Sequence, residues 1–341
     1  MRMAVQMLVS IGLFGSMCFA TAGAKKVPDY NPLSIASEFK PEILNINVHD
    51  KSRQRDIPIR FYLPSDKSPA PVILFSHGLG GSRKTSSYLG KHWSARGYLV
   101  VFLQHPGSDE AIWKGKSAAG KKAGMQGGAS GKNFMLRVKD VRAVLDQLDR
   151  WNKTAEHPLA GRVNLEKVGM SGHSFGAVTT EAVSGQSFAG RGSLLTDSRI
   201  DAAIVMSPSV PNRGSPESAF GTVSLPWLLM TGTQDVANLL GGRSKDDKSP
   251  LDVMKSRLAV FPALPPGDKY ELVLHEAGHE AFTDREVFGK EPRNPNHHRV
   301  ILALSTAFWD SYLRDDASAK DWLRGEGAKS VLEKDDTWRM K

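Results

Sequence analysis

Five short apolar runs spaced through the chain most constrain what it can fold into. Pro71 to Ser76, Tyr98 to Leu103, Ala202 to Met206, Leu225 to Met230 and Tyr270 to Leu274 are, Ser76 and Glu271 excepted, apolar at consecutive positions rather than at alternate ones. A strand with one wet face alternates, whereas a strand apolar on both faces lies in a sheet covered on both sides. Between these runs, Ser86 to Arg96 reads as a helix. Phe134 to Trp151 is strongly periodic, with Met135, Val138, Val141, Val144, Leu145 and Leu148 on one face. His298 to Leu313 reads as a long amphipathic helix near the end. At the front, Glu42 to His49 and Asp56 to Leu63 do alternate, as a hairpin turning over Asp50 to Arg55 would. The expected fold is therefore α/β: a mostly parallel central sheet, an antiparallel N-terminal hairpin and helices on both faces.

The ends of the chain bear on compartment. Arg2, an apolar run from Met3 to Ala20 and the small residues Ala22-Gly23-Ala24 have the layout of a secretory signal peptide. The alternative is an uncleaved anchor, since the run approaches spanning length; Gly12 and Gly15 favour cleavage. Cys18, the single cysteine, lies inside this segment, so a mature chain starting near Lys25 has no disulfide, cysteine nucleophile or thiolate metal site. Loss of residues 1–24 removes Arg2, and the net charge falls from +9 to +8 over the remaining 317 residues. No internal repeat or linker divides that length, so residues 25–341 read as one domain of a bacterial protein that is secreted or periplasmic. Lys114, Lys116, Lys121, Lys122 and Lys132 share one Gly/Ala-rich stretch, either a solvated loop or an attractor of anionic surfaces. No arginine-aromatic interleaving points to nucleic acid. The segments Ser108 to Lys132, 184–198 and 207–224 interrupt the rhythm as irregular loops, either passive or in contact with substrate.

Chemistry enters at Gly172-His173-Ser174-Phe175-Gly176, a G-x-S-x-G occurring once. A short strand (Glu166 to Met170) precedes it and a helix start (Ala177 to Ala182) follows. A sharp strand-to-helix turn strains the serine and holds its hydroxyl clear of the backbone, and the flanking glycines remove side chains that would collide. A serine hydroxyl needs a base, and the base needs an acid to fix its tautomer. The run Leu225 to Met230 leads into Thr231-Gly232-Thr233-Gln234-Asp235, which places Asp235 in a turn at a strand's C-terminal end; an aspartate there also serves to stabilise its own turn. Among its rivals, Asp201 begins a strand, and Asp197, Asp246 and Asp247 follow none. The run Tyr270 to Leu274 leads to His275-Glu276-Ala277-Gly278-His279, making His279 the expected base and His275 a structural residue. His297 and His298 read as surface or capping residues. Oxyanion donors are expected from the backbone N–H of Phe175 and, in the glycine-rich loop Ser76-His77-Gly78-Leu79-Gly80-Gly81, from that of Leu79. That loop lacks the endings of phosphate- and dinucleotide-binding loops. His105, Trp113 and Phe175 are candidates for a substrate pocket or, equally, for core and loop roles.

Ser76 to Arg83, His105-Pro106-Gly107-Ser108, Arg137 to Leu148 and Gly172 to Gly176 together resemble the α/β-hydrolase branch of predicted dienelactone hydrolases. That branch includes platelet-activating-factor acetylhydrolase-like and polyester hydrolase-like enzymes. The resemblance spans about residues 40–325, including Ala307-Phe308 and Tyr312-Leu313. It implies Ser174 as nucleophile, His279 as base, Asp235 as acid, and Leu79 and Phe175 as oxyanion donors. It departs in two places. True dienelactone hydrolases use cysteine where this chain has Ser174. The acetylhydrolases carry their acid after an earlier strand, where Met206 to Pro211 here has no carboxylate. The implied activity is a serine carboxylic-ester hydrolase with no metal or organic cofactor. Its substrate is a small-molecule or lipid ester, with no nucleic-acid partner and no stable membrane insertion after signal cleavage. A lipase, a serine peptidase or amidase, and a silent binding protein on the same scaffold are the alternatives.

Overall fold

At the front of the chain β1 (Glu42–Asp50) and β2 (Arg55–Leu63) pair antiparallel, Glu42 opposite Leu63 and Asp50 opposite Arg55. The hairpin expected from their alternation is present. The computed structural model describes residues 30–188, 191–237, 249–284 and 293–341. The signal-like segment 1–24, Asp246 and Asp247 lie outside these residues.

The buried runs become β3 (Ala70–Ser76), β4 (Leu99–Leu103), β6 (Ala202–Met206), β7 (Trp227–Gln234) and β8 (Lys269–Gly278). The strand before the elbow is β5 (Val163–His173), and a short β9 (Thr337–Met340) closes the far edge. One sheet runs β1-β2-β4-β3-β5-β6-β7-β8-β9. Its five central pairings are parallel; β1/β2, β2/β4 and β8/β9 are antiparallel. This is the α/β arrangement that the runs predict.

The helices are α1 (Ser87–Ala95), α2 (Ala118–Gly128), α3 (Gly131–Asn152), α4 (Phe175–Val183), α5 (Pro216–Phe220), α6 (Pro250–Leu258), α7 (Val260–Ala263), α8 (Pro295–Leu313), α9 (Ala317–Arg324) and α10 (Glu326–Lys329). Strand alternation divides the core. Ile73 and Phe75 of β3 pack with Leu89 and Trp93 of α1, Val300 and Leu304 of α8, and Leu323 of α9. Val72 and Leu74 face the other way, toward Val138, Val141, Val144, Leu145 and Leu148 of α3. Each fully buried side chain of this kind stabilises the fold by about 1.5–3 kcal/mol. A third cluster, on the α4 side of β6 and β7, joins Ala177 of α4 to Phe220, Val260 and Phe261. Among the described residues no helix is long and apolar enough to cross a membrane.

Four expectations change. Ser108 to Lys132 is not an irregular loop: a 3-10 turn (Glu110–Ile112) precedes α2, whose N-terminus is capped by the Ser117 side chain accepting from Gly120 N–H. Tertiary fit explains it, because a Cβ on Gly124 would stand 1.8 Å from the Ile112 carbonyl, so glycine lets α2 lie on that turn. The 207–224 segment contains α5, held by a capping box at Ser215. His297 is not on the surface: it is buried, its Nε2 hydrogen-bonded to the His275 carbonyl at 3.0 Å. His298 stacks on Tyr88 at 3.8 Å. Finally, Met135 is exposed, and Arg137 takes its place on the buried face of α3.

Candidate active site

The carboxyl ends of the six parallel strands, β3 to β8, lie at one edge of the sheet, where sites form in α/β proteins. Strand β5 runs through His173 and α4 begins at Phe175, so Ser174 alone makes the turn, at φ 58° and ψ −116°. This strained conformation costs about 1–3 kcal/mol and is held by its surroundings. The Ser174 N–H donates to the Met206 carbonyl at 3.0 Å. A Cβ on Gly172 would lie 2.3 Å from the Gly176 carbonyl oxygen, and one on Gly176 only 1.9 Å from that of Ser76. Gly172 is therefore dictated by how tightly α4 folds back on β5, and Gly176 by how closely α4 meets β3.

His279 follows the last residue of β8 and opens a 3-10 turn. Its Nε2 lies 2.9 Å from Ser174 Oγ, and its Nδ1 lies 2.6 Å from Asp235 Oδ1. An ionised carboxylate only accepts, so Nδ1 carries the proton and Nε2 is left to accept from the serine hydroxyl. Asp235 is fully buried just beyond β7, where its Oδ2 accepts from Thr231 Oγ1 at 2.8 Å. Arg257 Nε donates to the Asp235 carbonyl at 2.7 Å and lies 3.2 Å from Oδ2. Burial pushes the Asp235 carboxyl up, but the His279 hydrogen bond and the Arg257 charge outweigh it and hold it down at about 2. Ser207, at φ 63°, brings its hydroxyl to 3.5 Å from His279 Nδ1. His173 lies beside His279, ring centroids 4.5 Å apart, and burial keeps it well below the ordinary imidazole range.

The two rival carboxylates among the described residues, Asp197 and Asp201, are engaged elsewhere. Both oxygens of Asp197 bond Arg199, at 2.8 and 2.7 Å. Asp201 accepts the Val168 N–H at 2.7 Å, at the start of β6 and so at the opposite edge of the sheet.

The loop after β3 lies directly over the serine: a Cβ on Gly78 would meet Ser174 Cβ at 3.3 Å. The Gly78 carbonyl takes the Gly81 N–H at 3.0 Å and stands 2.7 Å from His77 Nδ1. His77 Nε2 accepts the His105 N–H at 3.1 Å, which leaves the ring proton on Nδ1 to donate to Gly78. In a trans peptide the N–H points away from its carbonyl, so the Leu79 N–H is directed away from the His77 ring. Among the described residues neither this N–H nor that of Phe175 donates to a side chain or a loop carbonyl. Phe175 is the first residue of α4, where backbone donors have no partner within the helix.

Of the three pocket candidates, Trp113 and His105 part company. Trp113 is half-buried against the loop, its indole N–H donating to the Gly80 carbonyl at 2.7 Å. His105 lines no open pocket. It is fully buried, with Nδ1 3.0 Å from Asp140 Oδ2 and Nε2 2.9 Å from Ser76 Oγ. Sequence reading missed Arg257, Thr231, Ser207 and Arg137. Only Arg137 leaves a signal, as a cation inside the apolar stripe of α3. Among the described residues, no group of three or more His, Cys, Asp or Glu is arranged to hold a metal ion.

Strand order, parallel centre and a serine on a strained strand-to-helix turn define an α/β hydrolase. Residues 53–126 match the family of platelet-activating factor acetylhydrolase, isoform II, and over that stretch the chain is similar to it. The matched stretch runs from the β1–β2 turn through the Leu79 loop to α2. No curated protein matches the chain.

Proposed function

We propose that this hydrolase is a serine carboxylic-ester hydrolase working through an acyl-enzyme. The observation that carries the reading is the unbroken line from Ser174 Oγ through His279 to Asp235, at 2.9 and 2.6 Å. His279 Nε2 takes the Ser174 proton as Oγ attacks the ester carbonyl carbon. The carbonyl oxygen becomes an anion held by the N–H groups of Leu79 and Phe175. Collapse breaks the carbon–alkoxide bond, and the imidazolium gives its proton to the departing alkoxide. Water, deprotonated by the same nitrogen, then attacks the acyl-enzyme and returns Ser174 with release of the acid. Asp235 stays ionised throughout and stabilises the imidazolium, a role its low pKa supports. Reaction with a fluorophosphonate, followed by peptide mapping, tests the reading: the adduct is expected on Ser174 alone. An unlabelled protein, or label on another serine, contradicts it.

The match at residues 53–126 favours one narrower reading, hydrolysis of an acetyl ester on a phospholipid. A panel of p-nitrophenyl esters of increasing acyl length, run beside an acetyl-ester glycerophospholipid, separates it from general esterase activity. The N-terminal segment completes the proposal, with residues 1–24 as a leader removed on export. N-terminal sequencing of exported protein is expected to begin near Lys25.

A further inference from the structure

One guanidinium lies behind both halves of the proposed oxyanion pocket. Arg137, on α3, is fully buried. Its Nη1 donates to the His77 carbonyl at 2.6 Å, in the peptide that leads into Gly78 and Leu79. Its Nε donates to Ser108 Oγ at 2.8 Å, and Ser108 in turn accepts the Gly80 N–H through its carbonyl at 2.9 Å. Its Cζ sits 4.4 Å from the centroid of the Phe175 ring, a cation–π stack on the residue that carries the second N–H.

Arg137 is itself braced. Its Nη1 lies 3.4 Å from Ser76 Oγ, which lies 2.9 Å from His105 Nε2, whose Nδ1 lies 3.0 Å from Asp140. Ser76, His105 and Asp140 thus repeat the Ser-His-Asp order of the site above, but all three are fully buried and no substrate reaches them. Arg53 and Arg55 hold Asp140 from the far side, at 2.8 Å each. Arg137 bonds carbonyls and hydroxyls and its Nη2 lies 3.4 Å from His77 Nδ1; among the described residues no carboxylate bonds it. A cation in a dry interior is costly unless something there uses its charge and its geometry. Burial brings its pKa down to about 9, which leaves it charged at neutral pH.

We propose that Arg137 is the positioning residue of the oxyanion pocket, fixing the Leu79 loop against Phe175 with a buried positive charge behind both N–H groups. The inference rests on the reading of Leu79 and Phe175 as oxyanion donors. Oxyanion stabilisation is needed in the transition state and not in the ground state, so its loss acts on kcat more than on KM.

The test compares Arg137→Met, Arg137→Lys and Arg137→Ala with wild type on p-nitrophenyl acetate, with folding checked by circular dichroism. Arg137→Met is expected to lose on the order of 10–100-fold in kcat with KM within about two-fold. Affinity for a trifluoromethyl ketone, whose serine adduct carries the oxyanion, is expected to fall in step. Arg137→Lys keeps the charge without the fork and is expected to fall between. Millimolar methylguanidine is expected to restore part of the kcat of Arg137→Ala, which a merely structural role does not produce. Full kcat in Arg137→Met or Arg137→Lys, a loss confined to KM, or a folded Arg137→Ala that methylguanidine leaves unchanged overturns the inference. A wild-type protein inert to both ester and fluorophosphonate overturns the esterase reading and this inference with it.

Discussion

Asp235 Oδ1 lies 2.6 Å from His279 Nδ1, while its Oδ2 is taken by Thr231 and approached by Arg257. Every acceptor of this carboxylate is thus engaged, and its position is set independently of the histidine. Asp235→Asn presents an amide that cannot fix the same tautomer. It is expected to lower kcat by about 10³–10⁴-fold. Asp201→Asn keeps an acceptor for the Val168 N–H and is expected to stay within a few-fold of wild type. Steady-state kinetics of the two variants decide the matter, and a larger loss at Asp201 refutes the assignment of the acid.

The elbow makes a prediction about stability. A Cβ at Gly176 would be 1.9 Å from the Ser76 carbonyl, an atom of β3 that cannot withdraw without breaking the sheet. Gly176→Ala is expected to cost at least about 3 kcal/mol, at the upper end of overpacking effects. Gly127, in α2, has nothing within 4 Å of its would-be Cβ. Gly127→Ala is expected to gain about 0.5–1 kcal/mol from helix propensity. Urea unfolding of both variants checks the contrast, which disappears if the β3–α4 approach is not as close as described.

Glu181 gives a pH dependence. It is buried in α4, accepts the Ser209 N–H at 3.0 Å through Oε1, and has no partner at Oε2 among the described residues. Burial pushes its carboxyl from an ordinary value of 4.5 up to about 8. The folded state therefore binds one more proton than the unfolded state between those values, and stability falls as pH rises through that window. Below 4.5 both states are protonated and the contribution is fully present; above 8 it is lost. Glu181→Gln removes the titration. Its Tm is expected to exceed that of wild type by more at pH 8.5 than at pH 5, and equal differences at the two pH values contradict the burial argument.

Much of this architecture is legible in the chain, for reasons particular residues show. Ile73, Leu74 and Phe75 announce a strand covered on both faces because no polar side chain interrupts them. Asp235 and His279 stand out because each follows such a run, whose end can be located without knowing the sheet, and Ser174 stands out because glycines flank it in a G-x-S-x-G. Helix α2 was hidden because Gly124 and Gly128 weaken any helical pattern, yet they are there for contact with Ile112 and Leu79. Strand β9 was hidden because its four residues, among them Arg339, have a polar pattern suited to an exposed edge. His105 reads as a pocket residue from its place after β4, and only the fold reveals Asp140 and Ser76 closing over it. Arg257 acts on Asp235 across a tertiary contact that leaves no mark in local spacing, and Thr231, though only four residues before Asp235, shows in the sequence no sign that its hydroxyl turns onto the carboxylate.

The central claim is that Ser174 is an activated nucleophile, and hydrolysis of p-nitrophenyl acetate by Ser174→Ala beside wild type tests it most directly. The structure's line of Ser174, His279 and Asp235 leads to a loss of several orders of magnitude in kcat, with the variant folded as wild type is. Turnover by Ser174→Ala close to that of wild type would contradict the account.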